Sequence, residues 1–565
     1  MYVRFIGPVR DGAVRHPKLE GVSVPTTLPE GTWAKVELAK VTQFAAPNTA
    51  LAEIVELTIE RGHSVLLPDA CEDEAAAWVA NPGIDDPTLT DLTHTPFVTI
   101  DNRTSKDLDQ AVFVERKGHN FIVWYALADA AYYVRPGSAL LTEALTRGAT
   151  YYLPGLTVPM LPLSLCEGLI SINPHVDRRA MVFRMQVDKH GTCTQTDLIR
   201  ARVHSVAKLS YPQVQGWYDG GDPPCDDAGA LDSLECLKDV GERRMAEAES
   251  RHVIRFRRRE VDIGVRGGGR RFVARTALRH DVERYGEQIS LLTNIEGARL
   301  LRDGDAESDD IQPIYRTHQP PQRQRLRALR GQIDAIVRAH DLPNSWCWSG
   351  AKGQSLATYL RALPHGGEHG HVARAIQYGA LFTGGRSGFS AEPAGHHGVG
   401  ADVYARFTAP MREVVGCFVH KEAWEKTGRE TPRPNTSDEA LRDKVIDAAG
   451  RAKSEQRALT NASNRLVLDR MFERDLRTGA PPRAGVVMNI RKGRIQVELD
   501  DPSISVKVYT THLQQQRGGA LWVSKDGACL LDAKTSQPVL TLGDKVMIHV
   551  EGHDDQADRW RLGVT

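Results

Sequence analysis

Asp101, Asp107 and Asp109 stand in the spacing Asp-x5-Asp-x-Asp, between the apolar runs Phe97-Val-Thr-Ile100 and Ala111-Val-Phe-Val114. If residues 107–114 are extended, Asp107 and Asp109 project from one face, because strand side chains alternate with period two. Asp101, at the tip of the preceding strand, then closes the group. Three carboxylates held together repel one another and call for a compensating cation. Hard oxygen donors with no His or Cys beside them favour Mg²⁺, with Mn²⁺ as an alternative, over Zn²⁺. A calcium loop of the EF-hand kind does not fit, since it would need Gly at its sixth position and a closing Glu. Turn-forming and capping aspartates give the same spacing, so this segment alone leaves a purely structural role open.

The elements that must position these residues follow from periodicity and punctuation. Residues 1–48 read as a small β-rich module, with Trp33 to Val41 alternating as a strand and Gly7-Pro8, Pro25 and Pro29-Glu-Gly31 as breaks. Leu51, Ile54, Val55 and Thr58 then share a helical face, with Asn48 as the expected N-cap and Gly62 as the stop. Residues 49–87 form a helical connector. Residues 97–210 read as strand-rich, and helical patterns occupy 229–250, 279–302, 321–340 and 371–383. Gly395 to Gly400 is a loop. After the linker Thr431-Pro-Arg-Pro-Asn435, Thr436-Ser-Asp-Glu439 fits a capping box. The helix it opens runs to about Arg477, with a break expected at Gly450. Alternation returns at Val486-Val487, Ile495 to Leu499, Val506 to Tyr509 and Val546 to Val550, the strands of a small barrel.

With 565 residues the chain exceeds one compact core, and three or four domains are expected. The 72 basic and 72 acidic residues cancel, so any polyanion-binding surface must be local. Two stretches qualify. Arg251 to Arg275 carries nine Arg against Glu260 and Asp262, and Arg316 to Arg330 carries five Arg and no acid. The guanidinium fork suits bidentate phosphate contacts. The eight Cys are scattered without a C-x-x-C, so neither a zinc knuckle nor a redox pair is expected. No apolar leader segment opens the sequence and no run reaches about 18 apolar residues, which makes the cytoplasm the expected compartment and excludes a membrane partner.

Beyond the aspartates, further segments carry a family pattern. Thr99-Ile-Asp-x5-Asp-Leu-Asp109 resembles the signature of the RNase II/RNase R (RNB) exoribonuclease family. Leu127-Ala-Asp-Ala-Ala-Tyr-Tyr-Val134, Arg147-Gly-Ala-Thr-Tyr-Tyr-Leu-Pro154, Val158-Pro-Met-Leu-Pro162, Leu169-Ile-Ser-Ile-Asn-Pro174 with Asp177-Arg178, His396-His-Gly-Val399 and Tyr404-Ala-Arg-Phe-Thr-Ala-Pro-Met-Arg412 resemble its later blocks in the same order. The resemblance covers roughly 88–430. It implies an α+β fold, with an RNB catalytic domain at 88–430 (a mixed β-sheet core surrounded by helices), a helical segment at 431–480 closing it, and an S1-like OB barrel at 481–565. It leaves 1–48 as a truncated OB-like module, with a winged helix as the alternative; one small module in place of two implies a more open entrance to the site.

The resemblance also assigns roles. Asp101, Asp107 and Asp109 take metal-binding and water-activating positions, Arg412 holds the phosphate, and Tyr152 packs against the 3′-terminal nucleotides. Where the family motif continues with a fourth Asp, this chain has Gln110, whose amide oxygen is a possible ligand without charge. The implied activity is metal-dependent 3′→5′ hydrolysis of single-stranded RNA to nucleoside 5′-monophosphates by a monomer. The alternatives are an RNB-like RNA-binding protein weakened at position 110, or a nuclease acting on DNA as well.

Overall fold

The computed structural model describes residues 4–19, 21–37, 40–256, 259–277, 279–303, 311–350, 353–427 and 435–565. The chain divides into two compact units, the first comprising 1–251, 279–318 and 387–461 and the second 252–278, 319–386 and 462–565. The segment read as one domain at 88–430 therefore contributes to both.

The first unit opens with β1 (Phe5–Arg10), β2 (Ala13–Arg15), β3 (Ser23–Pro25), β4 (Trp33–Glu37) and β5 (Lys40–Ala45). They form an antiparallel sheet of order β3-β2-β1-β4-β5 around Phe5, Val9, Val14, Ala34 and Val36. The stretch read as one strand from Trp33 to Val41 is thus a hairpin, with Glu37 opposite Lys40. No helix precedes α1 (Ala50–Glu60) among the described residues. The N-cap of α1 is Thr49, not Asn48. The Thr49 side chain accepts from the Ala52 N–H, while Asn48 sits in the left-handed region at φ 55°, which Asn tolerates better than most residues. Helix α2 (Asp69–Ala80) completes the connector.

The centre of this unit is the expected mixed β-sheet core, closed into a five-stranded barrel. Its strands are β6 (Thr90–Asp101), β7 (Gln110–Lys117), β8 (Asn120–Ala128), β11 (Asp177–Val187) and β12 (Cys193–Ser210), in the order β11-β12-β6-β7-β8. Only the β12–β6 pair is parallel. Closure buries Phe97, Phe121, Leu127 and Phe183 completely. Truncating one such side chain to Ala costs about 2–5 kcal/mol. Between β8 and β11 lie α3 (Ala130–Tyr133), α4 (Ala139–Arg147) and a hairpin of β9 (Tyr151–Leu153) and β10 (Leu156–Val158). Helices α5 (Tyr211–Tyr218) and α6 (Ala228–Ser250) follow β12. The Val114 N–H of β7 donates to Ser233 Oγ of α6 at 2.8 Å.

In the second unit, β13 (Glu260–Arg266) and β14 (Arg271–Ala277) form a hairpin. Back in the first unit, α7 (Asp281–Arg302) places Ile289 and Leu292 in the barrel core. Strand β15 (Tyr315–Thr317) ends that segment. The second unit continues with α8 (Arg323–Ala339), α9 (Leu356–Ala362) and α10 (Gly370–Leu381). Strand β16 (Gly388–Ser390) pairs with β15, and α11 (Val414–Lys426) is buried along most of its length. Helix α12 (Asn435–Thr478) runs unbroken through Gly450. Without a Pro, one Gly costs only about 1 kcal/mol and does not stop a 44-residue helix. The proposed capping box rests on Thr436, whose side chain lies outside the described residues, as does most of the linker before it.

The C-terminal strands are β17 (Arg483–Arg491), β18 (Arg494–Leu499), β19 (Ser505–Tyr509), β23 (Lys545–Asp554) and β24 (Arg559–Val564), in the order β19-β18-β17-β23-β24, with α13 (Thr510–Arg517) after the third strand. A meander followed by a helix and a returning pair is the OB arrangement. A small sheet of β20 (Leu521–Val523), β21 (Cys529–Asp532) and β22 (Pro538–Thr541) is inserted before β23.

Candidate active site

Asp101 is the last residue of β6, where it pairs with Ser210 of β12. Its Oδ1 accepts from the Asn102 N–H at 2.6 Å and Ser105 Oγ at 3.0 Å, which starts the excursion away from the barrel. The excursion is held from below. Ser171 Oγ donates to the Lys106 carbonyl at 2.7 Å and accepts from the Leu108 N–H at 2.9 Å, fixing the backbone on both sides of Asp107. Arg178 in turn donates to the Ser171 and Gly168 carbonyls at 3.0 and 3.1 Å. The family-like segments at 169–174 and 177–178 thus act as scaffold for Asp107.

Asp109 precedes β7 rather than lying within it, and its carbonyl accepts from the Ala128 N–H at 2.8 Å. Its side chain is 1% exposed. Oδ1 accepts from the Met411 N–H at 3.0 Å and Oδ2 from Arg412 Nε. Burial pushes this carboxyl above the usual carboxylate range, opposed by the Arg412 guanidinium and the Met411 N–H. Tyr152, an exposed residue, donates its hydroxyl to Asp107 Oδ2. Arg412 therefore lies within the electrostatic reach of Asp109, Tyr152 and Asp107 together. Asp101 joins through Tyr211, the first residue of α5; burial and then the Asp101 carboxylate push its hydroxyl up to about 12, with Arg412 opposing. Asp107, Asp109, Tyr152 and Arg412 are thus brought together, and Asp101 adjoins them through Tyr211.

Gln110 faces the other way along its strand. Its Oε1 accepts from Tyr125 OH at 2.6 Å and Ser290 Oγ at 3.4 Å, and those two hydroxyls are 2.7 Å apart. It lines a cavity of about 200 Å³ together with Tyr125, Tyr211, Arg279 and Ser290. Tyr125 feels both Asp109 and Arg412, so Gln110 adjoins the acidic group through it.

Sequence reading missed Asn294, on α7 and 1% exposed. Its Oδ1 accepts from the Phe407 and Thr408 N–H groups at 2.7 and 3.2 Å, and its Nδ2 donates to Tyr404 OH and Thr408 Oγ1, both at 3.0 Å. One amide thereby fixes the loop that delivers Met411 and Arg412. Gly297, one turn on, leaves room for the Phe407 ring, which a Cβ would meet at 2.5 Å. Asn294 is one of several polar residues on the buried face of α7, with Gln288, Thr293 and Glu296, so the sequence pattern alone did not single it out.

As to a metal, the donor set of three carboxylates is the hard-oxygen type that suits Mg²⁺ or Mn²⁺, and a cation would offset the burial of Asp109. The three do not converge to within 4.8 Å. The one group of carboxylates that does, among the described residues, is Glu422, Glu425 and Asp438. There Lys421 Nζ already sits at 2.7, 2.8 and 2.8 Å from them, tying α11 to α12.

Comparison with known proteins bears on this geometry. The model of the RNB domain matches residues 89–422. The chain belongs to the RNB family. Ribonuclease R of Vibrio cholerae is 32% identical over 59% of this chain and 39% of its own length. Exoribonuclease 2 of Klebsiella pneumoniae is 27% identical over 88% of this chain and 77% of its own. The chain spans about two fifths to half the length of the ribonuclease R relatives it matches. The fold is that of RNase R from Mycoplasma genitalium, solved with ribose-methylated single-stranded RNA; the TM-score is 0.81 at 20% identity, covering 100% of this chain and 90% of that one.

Proposed function

We propose that this chain is a metal-dependent 3′→5′ exoribonuclease that shortens single-stranded RNA and releases nucleoside 5′-monophosphates. The observation that carries the reading is the buried Asp109 carboxylate paired with Arg412 beside Asp107 and Tyr152. A structural ion pair has no need of further carboxylates that repel it, whereas a phosphodiester hydrolase needs acid and base charge at one point. Asp101, Asp107 and Asp109 would hold Mg²⁺ or Mn²⁺, with Gln110 as a neutral neighbour. When bound, such a cation polarises the scissile phosphate and lowers the pKa of the attacking water.

The chain's own residues do the rest. Arg412, kept charged by Asp109, presents its remaining guanidinium N–H groups to the phosphate and offsets charge that develops as the bond breaks. Tyr152, tethered through its hydroxyl, offers a ring face to the terminal nucleotide, a stacking contact worth about 1–3 kcal/mol. Ser105, Ser171 and Arg178 keep the Asp101–Asp109 excursion from rearranging when a polyanion arrives.

No helix among the described residues is long and apolar enough to cross a membrane. A cytoplasmic monomer acting on 3′ ends of RNA is the working picture. Gln110 supports a second reading, an RNA-binding protein of reduced catalytic power, because the position lacks the charge expected of a ligand. Incubating 5′-labelled RNA and DNA oligomers with Mg²⁺, Mn²⁺ or EDTA, beside an Asp109→Asn variant, separates them. Stepwise shortening of RNA that needs metal and Asp109 supports the enzyme, and absence of shortening under every metal refutes it.

A further inference from the structure

The nine-arginine stretch singled out in the sequence resolves into different fates. Arg251 is paired with Glu247 and also donates to the Val399 and Gly400 carbonyls. Arg259 pairs with Asp500 of the C-terminal barrel at 3.2 Å. Near it, Thr276 Oγ1 accepts from the Ser503 N–H at 3.3 Å, so the base of the β13–β14 hairpin is docked on that barrel. The tip is different. Arg266 and Arg271 are direct cross-strand partners, and Arg270 lies in the turn between them. All three are exposed, and none has an ion-pair partner among the described residues. Like charges directly opposite one another destabilise a strand pair, and the hairpin's own acids, Glu260 and Asp262, lie toward its base, with Asp262 opposite Arg275.

The turn compounds the point. Gly267, Gly268 and Gly269 hold φ of 65°, 68° and 87°, so the chain reverses without side chains standing between the arginines and an approaching ligand. A locally unfavourable charge arrangement on an otherwise regular hairpin marks a functional surface. The partner that relieves it is a polyanion whose closely spaced groups each offer a pair of oxygens to the planar guanidinium fork, as the phosphates of a nucleic-acid backbone do. We propose that the β13–β14 hairpin tip grips the phosphate backbone of single-stranded RNA through Arg266, Arg270 and Arg271. The choice of RNA over another polyanion rests on the function proposed above.

The test is equilibrium binding of a fluorescent single-stranded RNA to the full chain in EDTA, so that it does not depend on hydrolysis. Each phosphate contact on a single strand contributes about 0.7 to the slope of log affinity against log salt. The triple variant Arg266→Gln, Arg270→Gln, Arg271→Gln is expected to lower that slope by about 2. Between 50 and 200 mM salt the unaltered chain then loses about 20-fold more affinity than the variant. The matching triple Lys variant is expected to keep most of the slope, which shows that charge rather than hairpin folding is being read. An unchanged slope in the Gln variant overturns the proposal and leaves the arginines to an acidic protein surface. A lowered slope in a chain that shortens no RNA with any metal upholds the grip and counts only against the hydrolytic reading.

Discussion

Replacing Asn294 by Ala removes four hydrogen bonds at once, and two of them come from buried backbone N–H groups of Phe407 and Thr408. A buried donor left without a partner costs about 1–3 kcal/mol. Two of them, with the small void added, place the loss of stability at about 3–5 kcal/mol. The loop so loosened carries Met411 and Arg412, the two residues that hold Asp109. A misplacement of about 1 Å in such a group can cost 10²-fold in rate, so kcat for RNA shortening should fall by about that factor. KM should change little, because Tyr152 and the basic surfaces are untouched. Asn294→Asp is the informative companion. Its Oδ1 keeps both N–H groups, and the hydroxyls of Tyr404 and Thr408 can turn to donate to the second oxygen. It should therefore recover much of kcat, at the cost of a buried charge. Urea titration with single-turnover hydrolysis reads both quantities. Wild-type kcat in the Ala variant, with the expected loss of stability, would show that the loop reaches its position without this amide and refute the reasoning.

The other expectations are shorter. Arg412→Lys removes the Nε–H that Asp109 accepts and the fork offered to phosphate, so hydrolysis should drop by about 10²–10³ in kcat; a change under threefold would argue against phosphate contact. Gln110→Asp adds a carboxylate next to the acidic group, and half-maximal hydrolysis should need several-fold less Mg²⁺. An unchanged Mg²⁺ titration would place position 110 outside the influence of the cation. His420, fully buried with its Nε2 donating to the Phe407 carbonyl at 2.9 Å, has its pKa lowered by burial from 6.5 to about 4. A depressed histidine contributes stability that is present above pH 6.5 and lost as pH falls toward 4, about 3 kcal/mol for a shift of this size. Burial lowers His396 in the same direction. His420→Gln should flatten part of the stability decline between pH 6.5 and 4, and an identical decline would show that His420 does not titrate across that window.

How much of this was readable in advance depends on the range of the interaction. The strand into Asp101, the polar excursion and the strand after Asp109 are local patterns, and they stand where alternation and turn chemistry put them. Arg412 and Tyr152 were reachable only through resemblance, since nothing local distinguishes Tyr152 from a sheet tyrosine or ties Arg412 to a carboxylate 303 residues away. Asn294 and the Gln110–Tyr125–Ser290 group were not reachable, because each depends on α7 crossing the barrel at one register. The hairpin at 33–45 hid for a local reason. Glu37 and Lys40 flank Leu and Ala, which carry no turn signal. The run from Arg316 to Arg330 divides between the two units: Arg316 is half-buried with its guanidinium over the Phe389 ring in the first, and the residues from Arg323 onward lie on α8 in the second.

The acidic group itself carries the deeper physical lesson. The tightest carboxylate trio in the described chain, Glu422, Glu425 and Asp438, is tight because its counter-charge is built in as Lys421. Asp101, Asp107 and Asp109 have no such resident ammonium. Each is instead held by its own neighbours, Asn102 and Ser105, Tyr152, and Met411 with Arg412. A cation bound among Asp101, Asp107 and Asp109 would supply the opposite charge that such a group of carboxylates calls for. In the first trio the one Lys421 ammonium answers all three carboxylates, whereas Arg412 pairs with Asp109 and leaves Asp101 and Asp107 without an ion-pair partner among the described residues. A divalent cation should therefore tighten the first unit when added. The midpoint of thermal unfolding should rise with Mg²⁺ or Mn²⁺ in the unaltered chain by RT ln(1 + [metal]/Kd) in free energy. The rise should vanish in an Asp101→Asn, Asp107→Asn double variant and persist in Lys421→Met. A metal-dependent rise that survives loss of Asp101 and Asp107 would place the cation elsewhere and remove the basis for assigning hydrolysis to this end of the barrel.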